Sequence, residues 1–442
     1  MAKLNTKVNP IYTHEGAKAQ HINPELQLRR SVMSCMLWER EFYEDGESIA
    51  DRIKNIIPKV SPEKVVDIAI EAREKMKLRH VPLLIVREMA RLDTHKKFVE
   101  ATLSRVIQRP DELTEFLAIY WKDKKQPLSA QVKKGLAAAF TKFNEYQLAK
   151  YNRADAIKLR DVLFLCHAKP KDKEQGGLWK RLVDKKLQTP DTWEVALSGG
   201  VDKKEAFERL LKEGKLGALA LLRNLRNMSE AKVDETVIFG ALNKMNIERV
   251  LPFRFITAAR YAPQWEDKLE IAMMKCLSSV EKLSGKTILL IDVSGSMDST
   301  LSNRSEVNRR DVASGLGILA REIFDCQIIT FSNKCVLIPA RHGFALRDAI
   351  ENSQEHRNTY LGQAIQLINE KFDYDRIIVI TDEQSHDSVP SAKGKAYLIN
   401  VASNQNGIGY GDWIHIDGWS EATLEYIRTV EEAIEGGVIN EN

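Results

Sequence analysis

The sequence predicts a multi-domain chain: an α-helical, HEAT-like repeat array over residues 25–285 precedes a doubly wound, Rossmann-like α/β domain over 286–442, with residues 1–24 as a short lead. Three observations predict it. Apolar residues recur at helical spacing through the first part, with prolines between the segments. From residue 286, short β-branched runs alternate with helical stretches, the pattern of a mostly parallel sheet covered on both faces. The charge also changes sign there: residues 1–285 hold 52 Lys and Arg against 39 Asp and Glu, whereas residues 286–442 hold 14 against 23.

In VVDIAIEAREKM, Val65, Ile68, Ala69 and Ala72 fall on one helix face, and Phe98, Ala101, Thr102 and Arg105 repeat the spacing in a later stretch. Pro58, Pro62, Pro82, Pro110, Pro127, Pro170, Pro190, Pro252 and Pro263 punctuate these segments, which have the length of ordinary globular helices. There is no strict sequence repeat. Many helices with short connections and no strand signal favour a stacked solenoid or a bundle.

KTILLID (286–292) opens the second part as a continuous apolar run ending in a carboxylate. A helix is expected around 307–323, then strands at CQIITF (326–331) and KCVLI (334–338). Helices follow at 344–352 and 361–371, strands at RIIVITD (376–382), KAYLIN (395–400) and WIHID (413–417), and a last helix at 420–434.

Composition excludes several classes. No apolar run approaches the roughly 18 residues that span a bilayer, and MAKLNTKVNPIYTHEG lacks the apolar core of a secretory signal. No membrane association is expected, and the default location is the cytoplasm. Cys35, Cys166, Cys276, Cys326 and Cys335 are scattered and form no CxxC pair, so they read as buried, reduced thiols and not as a disulfide framework or zinc cluster. The basic first part suits a polyanionic partner, although a large helical domain can carry such an excess on a merely solvated surface.

The sharpest chemical signal is Asp292-Val293-Ser294-Gly295-Ser296, directly after the first strand. Open α/β sheets bind ligands beyond the carboxyl ends of their strands. A second strand ends in Asp382, and Thr359 sits in a loop just ahead of the 361–371 helix. Two carboxylates and three hydroxyls make an all-oxygen shell for Mg²⁺, with Mn²⁺ or Ca²⁺ as alternatives, and suit zinc poorly. Gly295 permits the turn that brings Ser294 and Ser296 together. Asp and Ser can also simply cap a helix, but the full combination outweighs that reading. Glu383 and His386 follow Asp382 and could act as base or acid. Their helix-start or loop setting favours side chains that simply face solvent, and no nucleophile accompanies them. The ion is therefore expected to clamp a partner, and no enzymatic activity is expected.

The set Asp292, Ser294, Ser296, Thr359 and Asp382 resembles the metal-ion-dependent adhesion site of von Willebrand factor type A domains. The segments KYNRADAIKLRDVLFLCHAKP (150–170), GKLGALALLRNLRNM (214–228) and RVLPFRFITAAR (249–260) resemble the TROVE module of the Ro autoantigen family. The resemblance spans about residues 25–435, and the brief lead suits a bacterial or phage member. It implies a monomeric ring of helical repeats closed by a type A domain whose metal keeps a position open for a partner's carboxylate. It also implies a ribonucleoprotein of RNA quality control, without DNA specificity. Small structured RNAs of the Y type would bind the outer surface, and single-stranded ends of misfolded non-coding RNAs would enter the hole. In bacterial relatives such an RNA tethers an exoribonuclease. Recognition would be by shape and backbone charge.

Within residues 150–170, Leu159, Val162, Leu163 and Cys166 share a helix face, leaving Lys158, Arg160 and Asp161 outside it. Lys150, Arg153, Lys158, Arg160, His167 and Lys169 form a basic set suited to phosphate, and the resemblance places RNA contacts there, at Lys150, Arg153 and His167 above all. His167 could cap its helix or stack on a base. In the second segment Leu219, Leu222, Leu225 and Met228 make an apolar stripe. Arg223 and Arg254 lie inside apolar motifs, so they are expected either in buried ion pairs or against RNA. Two other functions compete. One is a protein-interaction adaptor whose metal site grips an acidic partner. The other, weaker for want of a nucleophile or second metal cluster, is a metal-dependent hydrolase.

Overall fold

The computed structural model describes residues 11–12, 18–19, 23–34, 46–152, 156–198, 200–246, 250, 252–277, 282–301, 307–402, 413–417, 423–424, 427–428 and 431. They group into two compact units, one of Pro24–Trp38 with Gly46–Leu216, the other built around Gly217–Asn442. The packing boundary thus falls at 216/217, well before the change of secondary structure expected at 286.

A two-residue antiparallel pair, β1 (Ile11–Tyr12) with β2 (Lys18–Ala19), lies in the lead. The first unit then holds α1 (Pro24–Ser34), α2 (Gly46–Ile56), α3 (Pro62–Glu74), α4 (His80–Met89), α5 (Val99–Val106), α6 (Pro110–Tyr120), α7 (Ala130–Phe140), α8 (Glu145–Tyr151), α9 (Leu159–Cys166), α10 (Lys173–Val183), α11 (Trp193–Ser198) and α12 (Lys203–Lys212). Pro62 and Pro110 open α3 and α6, where the missing N–H costs nothing. The α3 face is the one its spacing predicts: Val65, Ile68, Ala69 and Ala72 are all buried. In α5 the stripe is Val99, Thr102, Leu103 and Val106, while Ala101 and Arg105 are exposed, which corrects the expected face. Arg105 instead pairs with Glu74 across the surface. Inside, Arg73 of α3 donates to Glu112 Oε1 of α6 at 2.6 Å and to the Val106 carbonyl at 2.9 Å. Glu112 Oε2 accepts from the backbone N–H groups of Gln108 and Arg109. Each charge in this buried pair is therefore also hydrogen-bonded, as stable burial demands.

The second unit opens with α13 (Ala218–Glu230), α14 (Glu235–Lys244), α15 (Pro252–Tyr261) and α16 (Glu266–Leu277). It continues through β3 (Leu283–Asp292), α17 (Arg309–Ile323), β4 (Phe324–Phe331), β5 (Cys335–Leu337), α18 (Gly343–Glu351), α19 (Leu361–Lys371), β6 (Arg376–Thr381), β7 (Lys395–Asn400) and β8 (Trp413–Asp417). Every strand expected from the sequence is present. Of the expected last helix, residues 423, 424, 427, 428 and 431 are helical, and the rest lies outside the described residues. The sheet order is β5-β4-β3-β6-β7-β8, parallel except for the β4–β5 pair. The middles of its inner strands are apolar because helices cover both faces; Ile288, Leu290, Val379 and Leu398 pack with Ile365 and Ile368 of α19.

The helices 218–277 join this unit for a physical reason. A Cβ on Gly315 of α17 would lie 3.2 Å from Phe253 Cβ of α15, so glycine lets the two helices close. Arg260 of α15 then donates through Nη1 to Asp311 Oδ2 at 2.8 Å, and Asp311 also caps α17 with Asn308. Among the described cysteines, Cys166 and Cys326 are buried and Cys276 and Cys335 partly so, all as free thiols; Cys35 lies outside the described residues. Burial pushes the Cys335 thiol up to about 11. No described helix is long and apolar enough to cross a membrane.

Gly362, in the first turn of α19, sits where an added Cβ would lie 2.1 Å from the Ser388 carbonyl oxygen. Backbone cannot yield as a side chain can. Gly362→Ala is expected to lower the unfolding free energy by about 1–3 kcal/mol in urea titration, with an unchanged m-value.

Candidate functional site

β3 and β6 are hydrogen-bonded neighbours, with Ile291 opposite Ile380. Asp292 ends β3 and Asp382 directly follows β6, so two carboxylates leave adjacent strands at the same sheet edge. Both are fully buried. Asp292 Oδ1 accepts the Ser294 N–H at 2.8 Å, and Oδ2 accepts the Thr381 hydroxyl at 2.6 Å. Ser294 and Ser296 turn back together, their hydroxyl oxygens 3.2 Å apart. The loop that carries the buried Thr359 is tied to this turn: Gly295 N–H donates to the Arg357 carbonyl at 3.1 Å, and His356 Nδ1 lies 2.6 Å from the Val293 carbonyl. The same loop is tied to the segment after β6, where His386 N–H donates to the Thr359 carbonyl at 3.0 Å. Three loops, holding Asp292, Ser294, Ser296, Thr359 and Asp382, thus converge.

Burial, and then the charge of Asp382, hold the Asp292 carboxyl well above the ordinary carboxylate range, while hydrogen bonds from Ser294 and Thr381 pull the other way. Such a pair is relieved by a proton or by a cation. The donor chemistry fits a hard divalent ion. Among the described residues no group of three or more His, Cys, Asp or Glu side chains could hold a metal, so hydroxyls would have to complete the shell.

Sequence reasoning missed Arg309. It is the first residue of α17 and fully buried, with Nη1 3.4 Å from Asp382 Oδ2 and 3.5 Å from the Ser296 carbonyl. In sequence, Arg309-Arg310 looks like a solvated basic pair at a helix start, and only the fold turns the first of them inward. The guanidinium offsets one of the two negative charges. Arg309→Gln should therefore destabilise chelator-treated protein by about 3–5 kcal/mol, the usual result of stranding a buried charge. Adding Mg²⁺ should recover much of that loss in the same denaturation experiment.

Glu383 corrects another expectation. It is fully buried, where the sequence placed it facing solvent. Its backbone takes a left-handed turn, φ 66°, that carries the side chain under the neighbouring strand ends. There Asn400 Nδ2 donates to Oε2 at 2.8 Å, and His415 Nδ1 lies 2.6 Å from Oε1. His386 is exposed, as expected.

The basic set in the first unit divides in two. Lys158 caps the start of α9 with Arg160 beside it, the latter's Nε 3.6 Å from Asp161 Oδ1. His167 and Lys169 are exposed at the other end, separated by the helix length of about 12 Å. Lys150 is exposed in the last turn of α8, and Arg153 lies outside the described residues. Leu159, Val162, Leu163 and Cys166 are buried, as the spacing predicts. His167 closes α9 through its backbone in a left-handed conformation, φ 52°, its N–H donating to the Phe164 carbonyl at 3.2 Å, so its ring remains available.

In α13 Leu222, Leu225 and Met228 are buried, as the spacing predicts, with Leu221 and Asn224 beside them; Leu219 is exposed, which corrects that one position. Arg223 and Arg254 also depart from the buried-pair expectation. Both keep solvent access, and crowding by protein, then the like charge of Arg223, lower the Arg254 pKa.

With this geometry in place, comparison with known proteins defines the class. The TROVE domain family matches residues 13–184 and 180–311, and the chain belongs to that family. The resemblance carried by residues 150–170, 214–228 and 249–260 is borne out. Telomerase protein component 1 of Rattus norvegicus is 21% identical over 323 residues, covering 53% of this chain and 12% of that protein, so the chain spans only a small part of that relative's length. The crystal structure of the Deinococcus radiodurans Ro (RSR) protein is similar in fold, with a TM-score of 0.63 at 17% identity, covering 91% of this chain and 98% of that one.

Proposed function

We propose that this chain is a non-catalytic RNA-binding scaffold, the protein component of a ribonucleoprotein. The observation that carries this reading is where the family match falls. Residues 13–311 take in the part of the chain with the positive excess, which suits phosphate contact. The proposed RNAs are small structured ones of the Y type and single-stranded ends of misfolded non-coding RNAs, in RNA quality control, with an exoribonuclease tethered through the RNA. Lys150, Lys158, Arg160, His167 and Lys169 are the proposed contacts.

A second reading rests on the sheet edge. Asp292, Asp382, Ser294, Ser296 and Thr359 are proposed to hold Mg²⁺, with Mn²⁺ or Ca²⁺ as substitutes, in a von Willebrand factor type A arrangement. The ion, when bound, would offer an open coordination position to a carboxylate, and the chain would then serve as an adaptor for an acidic partner. The buried like-charge pair supports that chemistry. Nothing in it conflicts with RNA binding, because the two sites draw on different residues.

Filter binding of a labelled structured RNA to the full chain tests the first reading. Affinity should fall steeply with salt, and Lys150→Ala and Lys169→Ala should each flatten the log–log salt slope by about one. An absence of RNA binding at moderate salt would leave the adaptor reading alone.

A further inference from the structure

The C-terminal end of α9 borders a groove of about 530 Å³ lined by Trp121, Lys125, Lys133, Phe164, Leu165 and His167, among others, and none of its lining residues is acidic. That volume is ordinary for a pocket that takes a small organic group. Phe164 is 60% exposed and Leu165 38%, at the end of a helix whose other face is fully committed to the core. Trp121 lies across the groove after α6. Its indole N–H donates to the Gln126 carbonyl at 2.8 Å, which fixes the ring where it lines the groove. Lys125 Nζ stands 5.4 Å from the centre of that ring.

Exposed aromatic carbon among cations selects a ligand that is flat and apolar on one side and anionic on the other. A nucleotide has that combination: base faces stack on aromatic rings, and phosphates meet lysines. Acidic residues on the rim would have opposed it, and none lines the groove.

We propose that this groove holds an unpaired nucleotide of the bound RNA, its base against Phe164 and Trp121 and its phosphates at Lys125, Lys133 and His167. The inference rests on the RNA-binding reading and adds a specificity to it. Basic residues at the start of α9 would grip backbone of any conformation, whereas the groove would accept only a nucleotide released from pairing.

Fluorescence anisotropy on the full chain separates the two, using a labelled oligouridylate and a blunt-ended RNA duplex. Phe164→Ala removes an exposed ring and leaves the buried face of α9 intact, so folding is preserved and can be checked by thermal melt. It should weaken oligouridylate binding about 5- to 150-fold, the loss of one stacked base, and change duplex binding by less than about twofold. Phe164→Trp should restore oligouridylate affinity. Unchanged oligouridylate affinity in Phe164→Ala, or an equal loss for both probes, overturns the groove assignment while the RNA-binding reading stands. Failure of the unsubstituted chain to bind either probe overturns both. Binding of an acidic peptide with the same Phe164 dependence, and no oligouridylate effect, would assign the groove to a protein partner instead.

Discussion

Two carboxylates buried side by side at the end of neighbouring parallel strands cannot both stay charged without a cation, and this constraint organises the second unit. Asp292 and Asp382 are brought together by the β3–β6 pairing, not by closeness in sequence. Removal from water disfavours each charge, and each disfavours the other. The surroundings answer in three ways. Ser294 and Thr381 donate hydrogen bonds to Asp292, the loop bearing Thr359 is fastened against Gly295 and His386, and Arg309 places a guanidinium beside Asp382. One positive charge against two negative ones leaves room for a divalent ion, and hydroxyl oxygens are the donors on hand.

The helical unit works on the opposite principle. Its buried charges, such as Arg73 with Glu112, are neutralised within the protein and fix how successive helices pack. Its remaining cations lie largely at the surface. Helix α9 shows the division within a single element: one face is core, its start is basic, and its end offers an exposed ring. The proposed phosphate contacts and the proposed nucleotide groove draw on this division within one element.

The strands were legible because each is a short apolar run bounded by polar residues. The glycine and serines after Asp292 announced a turn at a strand end. Thr359 and Asp382 could be added because a doubly wound topology puts successive crossover ends at one edge. What stayed hidden depended on long-range packing. Nothing local distinguishes Arg309 from the less buried Arg310 beside it, or shows that Glu383 would fold under the sheet and not face solvent. The helix face of α5 and the position of Leu219 in α13 were misplaced because alanine, threonine and leucine fit either side of a helix, and the tertiary partners decide. The unit boundary at 216/217 reflects the close approach of Phe253 to Gly315, which periodicity cannot reveal. Trp121 and Phe164, far apart in the chain, become neighbours only when α6 and α9 pack.

Calorimetric titration of chelator-stripped protein with Mn²⁺ tests the proposed cation site most directly. One ion per chain should bind to the unsubstituted protein, and Asp292→Ala, with its fold verified by circular dichroism, should bind none at that site. An absence of binding heat in the unsubstituted protein, or the same isotherm in Asp292→Ala, would contradict the proposed site.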